Sequence, residues 1–130
     1  RPHPPVWCVG MLVPGRTRQR SLERAARWQG VFPSYAGGTL DEPHSHLTTE
    51  ALREVVDRIG TLRADAGLSM EGYDVVVEGD SHGSFGTVRP PVEQWVDAGA
   101  TWWVESWWDL PDSPEGRLEM RRRLELGPPR

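Results

Sequence analysis

An arginine-rich loop follows the first apolar run of the sequence, and its residue types suit anion binding. Residues 10–20, GMLVPGRTRQR, carry Arg16, Thr17 and two further arginines just ahead of a predicted helix. Arginine binds phosphate as a bidentate fork, and the first turn of a helix offers free N–H groups. Gly10, with no side chain, would let a planar ligand approach the backbone closely. A solvated loop is the alternative interpretation of the same residues.

Two later loops offer weaker signals of the same kind. Ser34 and the glycines of PSYAGGT, residues 33–39, can supply hydroxyl and N–H donors, although a flexible turn explains them equally well. Residues 79–91, GDSHGSFGTVRPP, resemble a phosphate loop only loosely, because they lack the G-x-x-x-x-G-K-S/T pattern. We expect that third loop to be a surface loop.

Tryptophans crowd around one acid in GATWWVESWWDLP, residues 99–111. On a strand, Trp103 and Glu105 would share one face and Trp102 the other, so at least one indole should pack beneath helices. Trp107 and Trp108 would lie past the strand, where aromatic rings can wall a ligand pocket. Glu105 could accept a hydrogen bond from a ligand, and a salt bridge is its alternative role.

The remaining reactive side chains carry little signal. His44 and His46 are two residues apart without the accompanying cysteines or acids of a zinc site, so a solvated loop is expected and no metal is predicted. His3 and His82 show no pattern. The single cysteine, Cys8, lies within an apolar run and is expected to be a buried, inert thiol.

Length and charge restrict the class of protein. A chain of 130 residues has the length of one domain, here residues 1–130. A net charge of −4 gives no nucleic-acid footprint, and no apolar run approaches the roughly 18 residues of a membrane span. No signal-peptide pattern opens the sequence, so we expect a cytoplasmic protein.

Four apolar runs near residues 6–9, 30–33, 73–78 and 101–106 have strand character, and helical patterns lie between and after them. The order β-α-β-α-β-α-β-α predicts an α/β fold with a parallel sheet, equivalent to half of a (β/α)8 barrel or to a small open sheet. The first and third runs are nearly continuously apolar, which is typical of strands covered on both faces.

Four helices are predicted, and two have clear boundary signals. The first runs from about Gln19 to Trp28, and a short third one covers PPVEQWVDAG, residues 90–99. The second begins at Thr48 or Thr49, ends at Gly67 and carries an apolar stripe of Leu52, Val55, Val56, Ile59 and Leu62. Ser113 and the proline after it announce the last helix, which runs through Leu118 and Leu124 to Gly127.

Five segments, in order, resemble the C-terminal half of luciferase-like flavin-dependent monooxygenases. They are PPVWCVG, ERAARWQGVFP, YDVVVEG, DAGATWWVES and LELGPPR, and together they extend from Pro4 to Arg130. The family is built on a TIM barrel and uses reduced FMN or the deazaflavin F420. The sequence departs from the family at Gln29, where an aspartate is common, and in length, because family members carry about as much chain again before this point.

The resemblance implies an oxidoreductase or monooxygenase that acts on a small organic substrate, with these four strands similar to the fifth to eighth strands of the barrel. It implies cofactor-binding residues at Gly10, Met11, Gly15, Arg16, Thr17 and Ser34. Glu105, Trp107 and Trp108 are predicted to line the substrate pocket, and no catalytic residue is assigned. Because the first four strands would be absent, the resemblance predicts an enzyme that is incomplete without an N-terminal half.

Two other functions fit the same sequence. The chain can be a non-enzymatic half-barrel that self-associates, for example as a homodimer through exposed sheet edges. It can also be a small open-sheet domain that stacks a planar or sugar ligand on its tryptophans. Flavin and a small-molecule substrate are the partners predicted by the first hypothesis, with no nucleic acid and no membrane.

Overall fold

A computed structural model describes residues 3–37, 47–81, 91–107 and 110–127 of the chain. The elements, in order, are β1 Trp7–Leu12, α1 Arg20–Ala25, β2 Gly30–Tyr35, α2 Thr49–Asp65, β3 Asp74–Gly79, α3 Val92–Asp97, β4 Trp102–Glu105 and α4 Pro114–Leu126. Each predicted strand and helix is present, with strands β1 and β2 two or more residues longer at their C-terminal ends than their apolar runs. Helix α1 is shorter than predicted, because it begins after Gln19 and the chain turns at Ala26.

The four strands form one parallel sheet in the order β1-β2-β3-β4. In register, Met11 of β1 lies beside Ser34 of β2, and Gly79 of β3 lies beside Glu105 of β4. Strands that are adjacent in sequence and parallel are joined by crossovers of one hand, so the helices collect on one face of the sheet. The predicted α/β architecture with alternating strands and helices is confirmed.

Two helix starts follow the sequence signals. The Thr48 hydroxyl accepts a hydrogen bond from the N–H of Ala51 at 3.1 Å, and the Ser113 hydroxyl accepts one from Gly116 at 3.2 Å. Each cap satisfies an N–H group that has no partner within its helix. The predicted N-terminal boundaries of α2 and α4 are therefore confirmed by their capping geometry.

The hydrophobic core lies between the sheet and the helices. Its fully buried members include Leu12, Leu22, Val31, Leu52, Val55 and Ile59, and Trp103 packs against it. The opposite face of the sheet, which we call the open face, carries Trp7 and Val9 of β1, which are 37% and 54% exposed. The expectation that β1 is covered on both faces was wrong, because no helix in the described residues crosses that side.

Helix α4 departs from its sequence pattern. Leu118 and Leu124 are 66% and 70% exposed, whereas Arg123 is buried and donates a hydrogen bond to Asp80 at 2.7 Å. Arg123 also contacts Glu119, one turn earlier, at 3.1 Å. The helix is therefore attached to the end of β3 through a buried ion pair instead of through a leucine stripe.

Side chains cover the outer edge of β1. The Ser21 hydroxyl bonds both the N–H and the carbonyl of Met11, at 3.0 and 3.2 Å. The Gln19 amide does the same for Val13, at 3.2 and 2.7 Å, and Arg24 donates to the carbonyl of Val9 at 3.3 Å. A strand joining this edge would have to displace these side chains.

Within the described residues, no helix combines the length and the apolar character that a membrane crossing requires.

Candidate functional site

Parallel strands bring their C-terminal ends to one edge of the sheet, where ligand sites of α/β folds usually lie. Met11 and Ser34 are neighbours near this edge, on the open face, and both are partly buried. The loop with Gly15, Arg16 and Thr17 follows directly after β1. Five of the six predicted cofactor residues, all except Gly10, thus lie at the C-terminal ends of two adjacent strands or in the loop after the first.

Gln19 organises the loop between β1 and α1. Its buried amide donates to the carbonyls of Val13 and Arg16, at 2.7 and 2.9 Å, and accepts from the Val13 N–H. Gly15 has a φ of 71°, a left-handed conformation that glycine adopts without strain. Arg16 and Thr17 are exposed on this loop. The backbone is therefore fixed by hydrogen bonds, while the Arg16 side chain projects to solvent and makes no hydrogen bond with a described residue.

Gly10 lies on the helix face of the sheet. A Cβ atom at this position would come within 2.7 Å of both Leu22 and Val31, so the missing side chain allows α1 to pack close to β1. The structure therefore gives Gly10 a packing role, which differs from the close approach to a ligand ring that we inferred from the sequence.

Glu105 accepts two hydrogen bonds within the fold. Its Oε1 accepts from the N–H of Ser81 at 2.9 Å, and its Oε2 accepts from the indole of Trp103 at 2.8 Å. Trp103 in turn packs against Trp95 of α3, with ring centroids 6.3 Å apart. Glu105 therefore links the end of β3 to the helix face of β4. The alternative salt bridge does not occur among the described residues, and the ligand contact stays a prediction.

Trp107 lines a cavity of about 450 Å³ between the end of β4 and the start of α4. The walls also include Leu110, Pro111 and Met120. The indole nitrogen of Trp107 is buried and has no hydrogen-bond partner within the described part of the chain. Trp108 lies outside the described residues. The cavity and the Arg16 loop follow β4 and β1, the two edge strands of the sheet, which are about 14 Å apart, three strand spacings.

The open face carries a cluster that the sequence analysis did not identify. The indoles of Trp7 and Trp102 both donate to the carboxylate of Asp74, each at 2.9 Å. Alternation relates residues only within one strand, so bringing Trp7, Asp74 and Trp102 together required the strand order and all three registers of the sheet. This cluster lies at the N-terminal end of the sheet, away from the predicted cofactor residues.

No group of three or more potential metal ligands occurs among the residues the structure describes, and His3 is exposed. His44, His46 and His82 lie outside those residues.

Comparison of the chain with protein-family models, with curated proteins and with solved structures found no match. The resemblance to luciferase-like oxidoreductases accordingly rests on the sequence segments alone.

Proposed function

We propose that this chain is the flavin-binding (βα)4 half of a luciferase-like oxidoreductase barrel, acting on a small organic substrate. Reduced FMN or F420 binds at the C-terminal ends of β1 and β2. The observation that carries the proposal is the juxtaposition of Met11 and Ser34 beside the loop that presents Arg16. Met11 offers an apolar contact to a ring, while Ser34 and Arg16 offer donors to a phosphate.

The residues of this site bind and orient the cofactor, and the flavin supplies the redox chemistry when it is bound. The Gln19 amide holds the loop backbone in place before a ligand arrives, which lowers the entropy cost of binding. The substrate would lie toward Trp107 and Trp108 at the β4 side of the same edge. None of the assigned residues acts as a catalytic acid, base or nucleophile in this proposal.

Titration of FMN, and separately of F420, into the purified chain tests the cofactor site by calorimetry. We expect saturable binding that Arg16→Gln weakens about 10-fold or more, because hydrogen bonds to charged groups contribute about 1.5–3 kcal/mol. Arg121→Gln, which removes an exposed arginine from α4, serves as the charge-matched control. Absence of binding at millimolar flavin, or equal weakening by the control variant, would contradict the proposal.

A second candidate function is self-association through the open face. Val9, Trp102 and Val104 are 54%, 51% and 37% exposed there, and parallel sheets are normally covered on both faces. The β1 edge is already occupied by side chains, so we propose that association uses this face and the β4 edge. Val9→Asp should convert a dimer to a monomer in analytical ultracentrifugation, with Val96→Asp on α3 as the control. A wild-type chain that sediments as a monomer at high concentration would refute this candidate.

A further inference from the structure

A second, open cavity of about 620 Å³ lies along α1, from Arg18 just before the helix to Trp28 just after it. We call it the arginine pocket. Its lining residues are Arg18, Arg20, Glu23, Arg24, Arg27 and Trp28. Its volume is within the range of small-molecule sites, roughly 300–1,000 Å³. The flavin proposal makes no use of these residues.

The arginine pocket concentrates positive charge in an acidic protein. The lining residues include four arginines and one glutamate, a net charge of +3, whereas the whole chain carries −4 and the remaining residues therefore carry −7. Of the arginines in the pocket, Arg18 alone has an acidic partner within the described ranges, Glu23 at 3.2 Å. The side chains of Arg20 and Arg27 make no hydrogen bond or ion pair with another described residue. Arg20 and Arg24 are one helical turn apart, a spacing at which like charges repel each other.

The backbone beneath the arginine pocket is fixed to the core. Arg63 of α2 donates to the carbonyls of Ala26 and Trp28, at 2.7 and 3.1 Å, and the Tyr73 hydroxyl donates to the carbonyl of Ala25 at 3.0 Å. The turn after α1 therefore holds Trp28 at the surface, where the residue is 41% exposed. Arg24 is oriented by its bond to the Val9 carbonyl. The backbone of the pocket and the Arg24 side chain are thus held in place without a ligand.

We propose that the arginine pocket binds a phosphate ester of a planar ring, the chemistry of a nucleoside diphosphate. Guanidinium groups bind phosphate oxygens in bidentate geometry, and a ring can stack on an exposed indole. Arg20 begins α1 and Arg27 lies in the turn after it, and both line the pocket, so two linked phosphates can each meet a guanidinium group. The phosphates lie across Arg20, Arg24 and Arg27, and the ring lies against Trp28.

Isothermal calorimetry with ADP, pyrophosphate and adenosine as separate probes tests both halves of the proposal. We expect the double variant Arg20→Gln/Arg27→Gln to weaken ADP and pyrophosphate binding at least 10-fold. Trp28→Leu should weaken ADP and leave pyrophosphate unchanged. The double variant Arg53→Gln/Arg121→Gln removes the same charge from α2 and α4 and should leave both affinities unchanged.

Several results would overturn the proposal. One is absence of ADP binding at millimolar concentration, and another is equal weakening by the Arg53→Gln/Arg121→Gln control, which would indicate general electrostatic attraction. An unchanged ADP affinity in Trp28→Leu would refute the proposed contact between the ring and Trp28. If poly-glutamate bound more tightly than ADP and displaced it, the partner of the pocket would be an acidic protein and not a small molecule. The test is independent of flavin binding, because Arg16→Gln should not affect ADP.

Discussion

Trp102 donates its indole N–H to Oδ1 of Asp74 at 2.9 Å, while Trp7 donates to Oδ2 of the same carboxylate at 2.9 Å. The two indole rings meet with centroids 5.4 Å apart. Gly30 lies beside them, and a Cβ atom there would approach Trp7 within 2.6 Å. One carboxylate thus ties β1, β3 and β4 together across β2, at the N-terminal end of the open face.

Replacing Asp74 with asparagine should destabilise the sheet. Asparagine has one acceptor oxygen, so one indole would lose its partner and face an amide N–H instead. A hydrogen bond to a charged group contributes about 1.5–3 kcal/mol, and partial exposure places the expected loss near the lower value, about 1.5 kcal/mol. Urea unfolding followed by tryptophan fluorescence measures this loss. Asp97→Asn, on the exposed end of α3, should change the unfolding free energy little. Equal effects of the two variants would contradict the stabilising role of the two indole hydrogen bonds to Asp74.

Gly10→Ala tests whether Gly10 serves packing. The new methyl group would meet Leu22 and Val31 at 2.7 Å, and both side chains are fully buried, so we expect a loss of about 1–3 kcal/mol in unfolding free energy. Gly60→Ala, inside α2 with no atom within 4 Å of the new Cβ, should stabilise the chain by about 0.5–1 kcal/mol. A Gly10→Ala protein with wild-type stability and lost flavin affinity would restore the ligand-approach interpretation.

Glu105→Gln should lower stability without a direct effect on ligand binding. Glutamine cannot accept from both Ser81 and Trp103, so one partly buried donor would be left facing an amide N–H, at a cost of about 1–3 kcal/mol. Chemical denaturation measures the loss, and Glu71→Gln, on an exposed turn, is the matched control. If Glu105→Gln kept wild-type stability and weakened a small-molecule ligand, Glu105 would belong to the substrate pocket after all.

The titration of Tyr73 predicts a loss of stability at alkaline pH. Burial raises the pKa of Tyr73 from 10.0 to about 12, although nearby Arg63 acts in the opposite direction. The folded state therefore retains the phenol proton that the unfolded state releases, and this contribution is fully present below pH 10 and is lost as the pH rises from 10 to 12. A shift of two pKa units corresponds to a loss of at most about 2–3 kcal/mol in unfolding free energy.

Tyr73→Phe should remove that pH dependence while costing about 0.5–1.5 kcal/mol at neutral pH, because the bond to the Ala25 carbonyl is lost. Tyrosinate absorbance and denaturant midpoints between pH 9 and 12 provide the measurement. The chain contains no lysine, so no ammonium group titrates in this range. An unfolding midpoint that is equally pH-dependent in Tyr73→Phe would show that another group is responsible.

The order of the elements could be predicted from the sequence because its signals are local. Apolar runs and the stripe from Leu52 to Ile59 repeat within one element, and the caps at Thr48 and Ser113 need only the next three residues. Strand alternation also separated Trp102 from Trp103 correctly. These features depend on backbone periodicity, which the sequence displays directly.

The face of the sheet that the helices cover and the buried ion pair between Arg123 and Asp80 could not be predicted, because both depend on residues far apart in the chain. Arg123 and Asp80 are 43 positions apart, and nothing near Arg123 distinguishes it from the exposed arginines of the same helix. The sequence of β1 predicts that the face with Val9 is buried, because its residues are apolar. Its actual exposure depends on where all four helices pack. The role of Gly10 likewise follows from the position of Leu22, which only the packed fold defines.

Ser21 is expected to protect the outer edge of β1 from pairing with another chain. Its hydroxyl is the partner of both backbone groups of Met11, so Ser21→Ala would leave a donor and an acceptor in the pattern that an added strand recognises. We expect a loss of about 1 kcal/mol in unfolding free energy together with faster aggregation at elevated concentration. Light scattering during incubation measures the second effect, with Ser69→Ala as a control that also removes a side-chain hydrogen bond, one that the Ser69 hydroxyl accepts away from the sheet. Aggregation of Ser21→Ala at the rate of that control would show that Gln19 and Arg24 are sufficient to protect this edge.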